Sequence, residues 1–136
     1  MKRLLFSLFF ISSLNINSHE FNPAHLVIKQ LNDDLSYEAV WMYPYKNSGR
    51  RAEVIFPDKC STESNDLFYQ GKYINEIIFL DCLSTLKGSS IEIINLSVLT
   101  DALITINFND DTFQGLVNVQ NKVLNIPLDS NYYPSS

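Results

Sequence analysis

Between Leu35 and Tyr43 every second side chain is apolar or aromatic: Leu35, Tyr37, Ala39, Trp41 and Tyr43, with Ser36, Glu38, Val40 and Met42 at the alternate positions. Successive side chains of a strand point to opposite faces, so a period of two predicts a strand with one face on a core. The face carrying Trp41 is the one expected inside. The same period recurs at Ala102, Ile104, Ile106 and Phe108, set against Leu103, Thr105 and Asn107. Little in the pattern suggests a long amphipathic helix. A chain written this way is restricted to sheet architectures.

Turn chemistry divides the rest of the chain. A strand from His25 to Leu31 is expected to end at Asn32-Asp33-Asp34, and the Leu35 to Tyr43 strand at Pro44, with a turn over residues 46–49. Further strands are expected at Ala52 to Phe56, Tyr73 to Cys82, Ile91 to Ile94 after a turn at Gly88, and Leu99 to Phe108. Asn109 to Thr112 reads as a hairpin turn into Phe113 to Val119, followed by a short strand from Val123 to Ile126. The polar stretch Ser61 to Asp66 reads as a surface loop. About seven to nine short strands at regular spacing predict an all-β domain over residues 19–127, a small immunoglobulin-like β-sandwich, with a small β-barrel as the alternative. Residues 128–136 read as a flexible tail.

The exception to the period lies at the N-terminus. Met1-Lys2-Arg3 precedes an apolar run from Leu4 to Leu14, and small Ser18 follows polar Asn15 and Asn17. A charged start, a short apolar core and a small residue are the layout of a secretory signal peptide. Residues 1–18 are read as that peptide, cleaved before His19, which places the mature chain in the periplasm or outside the cell. The run is too short for a bilayer span, which needs about 20 apolar residues, and no later segment reaches that length.

Charge and cysteine content narrow the classes further. The net charge of −5 falls to −7 once Lys2 and Arg3 leave, which argues against a nucleic-acid partner, since that needs a basic footprint. The chain has two cysteines, and in an exported protein Cys60 and Cys82 read as one disulfide. Their spacing is neither that of a redox CxxC turn nor that of a zinc site. The bridge is expected to join the region after the Phe56 strand to the end of the Cys82 strand and to pin the loop at Ser61 to Asp66.

Chemistry-bearing motifs are sparse. With two histidines, His19 and His25, and no phosphate loop, GxSxG elbow or HExxH helix, the parts of familiar hydrolytic sites are missing. The chain is therefore read as non-enzymatic. Cleavage before His19 would put an α-amine and an imidazole on one residue, and with Glu20 or His25 they could hold nickel, copper or zinc. Two ligands on a chain end make a weak site, so no cofactor is assigned. Tyr45, beyond Pro44, and the pair Phe68-Tyr69 are the aromatic residues expected at an interaction surface.

His19-Glu20-Phe21-Asn22-Pro23-Ala24-His25-Leu26, then Tyr37-Glu38-Ala39-Val40-Trp41 with Pro44, resembles the start of the N-terminal extracytoplasmic domain of HupE/UreJ-type membrane proteins. The resemblance runs on through Pro57 with Cys60, Cys82 ahead of Gly88, the Ile91-Glu92-Ile93 strand and Leu99-Thr100-Asp101-Ala102-Leu103, covering most of residues 19–120. It implies an exported domain with one disulfide and a mature N-terminus at His19. In that family the domain precedes a multi-helix membrane region, and some members are linked by name to nickel or cobalt handling. These 136 residues hold no counterpart of that region, so transport is not carried over. The expectation is a periplasmic accessory or binding domain acting with a membrane or envelope protein. Two alternatives stand beside it: a small metal-binding protein using His19, and an exported enzyme with an unrecognised site.

Overall fold

The computed structural model describes residues 23–44 and 50–128. Residues 1–18, His19, Glu20, Tyr45 and residues 129–136, on which several expectations rest, lie outside them. The described residues form ten strands: β1 (Ala24–Gln30), β2 (Ser36–Pro44), β3 (Glu53–Ile55), β4 (Cys60–Ser64), β5 (Phe68–Gln70), β6 (Tyr73–Cys82), β7 (Ser90–Ile94), β8 (Ala102–Asn107), β9 (Thr112–Val117) and β10 (Val123–Asn125). Seven of them build one sheet in the order β4-β6-β2-β1-β8-β9, with β5 also on β6, and three build a second in the order β10-β7-β3. The large sheet is antiparallel except where β1 runs parallel to β8.

The two sheets pack as a sandwich around one core. Alternation places Ala24, Leu26 and Ile28 of β1, Tyr37, Ala39, Trp41 and Tyr43 of β2, and Ala102, Ile104 and Ile106 of β8 on the inner face, where they meet Ile91 and Ile93 of β7. The Trp41 face is inside, as the sequence pattern requires. Tyr37 is sealed in the core and its ring stands edge-on to Phe108, with centroids 6.4 Å apart. Trp41 stacks on Tyr43 at 5.3 Å and its indole N–H donates to the Ala52 carbonyl, so the core keeps no unpaired indole donor.

Local chemistry sets the turns. Asp33 accepts the Leu35 amide on its carboxylate and the Ser36 amide on its carbonyl, closing the β1–β2 turn. Gly71 takes φ +62° at the first position of the two-residue β5–β6 loop, where a type II′ turn calls for glycine. At the β8–β9 turn the Phe108 amide donates to the Asp111 carbonyl, and Lys87 reaches Asp110 at 3.3 Å while lying over the Phe108 ring. That ammonium, by its hydrogen bond, holds the Asp110 carboxyl below its ordinary value.

Several expectations need correction. The expected loop from Ser61 to Asp66 is strand over its first four residues: Cys60–Ser64 is an edge strand on β6, only residues 65–67 are irregular, and Phe68–Gln70 is a second edge strand. The Cys60–Cys82 disulfide is present as expected, and it joins directly opposed residues of β4 and β6 within one sheet. The strand expected from Leu99 begins only at Ala102, because Ser97 to Thr100 forms a turn closed by Thr100 N–H to Ser97 carbonyl. The barrel alternative fails because the large sheet is open, with β9 at one edge and β4 and β5 at the other.

Candidate interaction face

Register carries the outer face of the large sheet from single strands to a surface. Residues paired across an antiparallel or parallel ladder share a side of the sheet. One row reads Phe68, Asn75, Met42, His25, Leu103 and Leu116 from β5 to β9. The next reads Ile77, Val40, Val27, Thr105 and Gln114, and the third Glu63, Phe79, Glu38, Lys29, Asn107 and Thr112. Antiparallel sheets with one face on a core usually alternate to polar residues on the other. Here the middle of that other face is aliphatic.

The apolar side chains there keep water contact. Phe68 is 46% exposed, Leu116 56%, Phe79 39% and Val27 37%, and Ile77, Val40, Met42 and Leu103 are half-buried among them. Charge enters only in the third row, at Glu63, Glu38 and Lys29, and beyond it at Asp81. The smaller sheet packs on the opposite, inner face, so no described strand covers this one. An apolar cluster over β6, β2 and β1, with Leu103 and Leu116 beyond His25 and Thr105 and charge at one margin, has the form of a binding face rather than of a solvated one.

The residues singled out by sequence separate on this scaffold. Phe68 belongs to the face, whereas Tyr69, next to it on β5, lies opposite Ile74 and so turns to the other side of the edge. Tyr69 is strongly exposed and interacts with neighbouring groups at that end. His25 sits mid-face between Met42 and Leu103. Among the described residues no three or more His, Cys, Asp or Glu side chains come together as a metal site. Of the expected metal set only His25 falls within them.

A second feature closes the other side of β2. Burial raises the Tyr43 phenol above its ordinary pKa; Arg51 opposes the shift and Glu76 adds to it. Because Trp41 and Tyr43 are buried beneath this end, they serve as core and offer no open aromatic platform. Among the described residues no helix is long and apolar enough to cross a membrane.

Val27, Val40, Met42, Ile77, Phe79, Leu103 and Leu116 escaped sequence reasoning as a group. Val40, Met42 and Leu103 were visible as off-core residues of alternating strands, the others were not, and only the register aligns them. No protein-family model matches the chain, and no curated protein matches it.

Proposed function

We infer that this protein is an exported, non-enzymatic accessory or binding domain that docks on a membrane or envelope protein through the outer face of its large sheet. The observation that supports the reading is the apolar middle of that face, from Phe68 and Phe79 to Val27 and Leu116. Exposing such a surface costs a monomer solubility, and its natural use is burial against a partner. The Cys60–Cys82 disulfide supports an oxidising compartment, and the N-terminal pattern supports export to it. The resemblance to the extracytoplasmic part of HupE/UreJ-type proteins supports a partner in the membrane or envelope.

Photocrosslinking residues placed at Val27 and Phe79, and at exposed Gln120 away from the face, test this in the producing cell. The expected outcome is a membrane-protein adduct from Val27 and Phe79 alone, on a chain shortened by removal of residues 1–18. Adducts of equal yield from Gln120, or none from the face, overturn the docking reading; retention of residues 1–18 overturns export.

A further inference from the structure

The edge strand β9 (Thr112–Val117) reads Thr-Phe-Gln-Gly-Leu-Val, with no charge and no proline along it. Edge strands present unpaired backbone groups, and proteins that stay monomeric blunt them with charge, proline, bulges or shortness. The other edges of this molecule are blunted. β4 and β5 are interrupted over residues 65–67 and carry Glu63, and β3 and β10 are three residues each. β9 has none of these devices.

The hydrogen-bond phase of β9 follows from its turn. The Phe108 amide donates to the Asp111 carbonyl at 2.8 Å, which makes those residues a hydrogen-bonded pair. Bonded and non-bonded pairs alternate along an antiparallel ladder. Through the β8–β9 register, Phe113, Gly115 and Val117 therefore turn their amides and carbonyls to β8. Thr112, Gln114 and Leu116 turn theirs out of the edge, where no backbone bond from a described residue reaches them.

We propose that β9 pairs antiparallel with β9 of a second copy of this chain, about a two-fold axis at Gln114. All three outward-facing residues of the strand pair at once only when the central one faces itself. In that register Gln114 opposes Gln114 and Thr112 opposes Leu116, so each outward amide and carbonyl finds a partner. The charges select the occupant. Asp110 and Asp111 come to face Asn118 and Val117 instead of each other, so two acidic chains meet along an uncharged seam. At the opposite edge a second copy would meet Glu63. An isologous strand pair of this kind joins the two large sheets into one continuous sheet and sets the outer faces side by side. The pairing is independent of the docking reading above.

A charge swap at the axis tests the proposal on the purified full chain by sedimentation equilibrium. The unaltered protein is expected to approach twice the monomer mass as its concentration rises. Gln114→Lys alone and Gln114→Glu alone, each placing like charges face to face, are expected to stay monomeric with unaltered far-ultraviolet dichroism. An equimolar mixture of the two is expected to recover the dimer mass. In a second measurement, Gln114→Cys is expected to cross-link copies through a short thiol-specific linker, and Glu63→Cys is not. A chain that stays monomeric throughout overturns the proposal. So does a dimer that survives both single substitutions, a mixture without recovery, which points to a segment of some other protein as the occupant of β9, or equal linking from Glu63→Cys.

Discussion

Tyr37 shows how much of the core depends on one polar atom. Its hydroxyl accepts the Leu86 amide at 3.1 Å and lies 3.4 Å from the Thr85 hydroxyl, inside a residue with no solvent exposure. The contact fastens the segment between β6 and β7 onto the inner face of the large sheet. Replacing Tyr37 by Phe keeps the edge-on packing against Phe108 and removes only the acceptor. The buried Leu86 amide is then unpaired, which costs about 1–3 kcal/mol. A fall in melting temperature on the order of 5–15 °C is the expected outcome for Tyr37→Phe. A melting curve that matches the parent would mean that the Leu86 amide finds another acceptor. The alternation of β2 discloses Tyr37 as a core residue, but its partner lies 49 positions away and no local pattern announces it.

At the scale of elements, legibility tracks burial. β2 and β8, central and buried on one face, were readable from period two, and Asp33 and Asn109 to Asp111 marked their turns. β4 was not, because past Cys60 its residues Ser61, Thr62, Glu63 and Ser64 are all exposed, so no hydrophobic alternation writes the strand into the sequence. Ladder hydrogen bonds to β6 and the disulfide hold it instead, helped by Lys59, whose ammonium reaches the Ser84 hydroxyl and the Thr85 carbonyl. That dependence is measurable. Cys60 and Cys82 are 22 positions apart, and releasing a loop of that length removes about 3 kcal/mol in the chain-entropy account. Mild reduction is expected to raise amide exchange in β4 far more than in β1, β2 and β8, as read by mass spectrometry of peptides. Uniform acceleration across all the strands would show that the bridge stabilises the whole sandwich and not its edge.

For the whole molecule, the decisive ladder is the one least visible in sequence, the parallel pairing of β1 with β8. It sets Leu26 beside Ile104 and Ile28 beside Ile106, joining the first described strand to one from the last third of the chain. Period two named both strands; nothing in it says that they are neighbours, and the apolar outer face, with Val27 next to Thr105, depends on that same adjacency. Folding must close this long loop before its contacts repay the lost entropy, so refolding in roughly milliseconds to seconds is expected of such a topology. The strand is also structurally indispensable. A chain ending at Asn95 lacks β8, β9 and β10, strips Ile104, Ile106, Phe108 and Val117 from the core, and leaves β1 as a raw edge. Hydrophobic burial of that size exceeds the whole stability of an ordinary small domain. The truncated chain is therefore expected to lose the near-ultraviolet signal of packed Trp41 and to melt without a cooperative transition, even with Cys60 and Cys82 joined. If it instead unfolds in a single sharp step, β2, β6 and β7 form a self-sufficient core, and the parallel ladder is an addition to the fold rather than its closure.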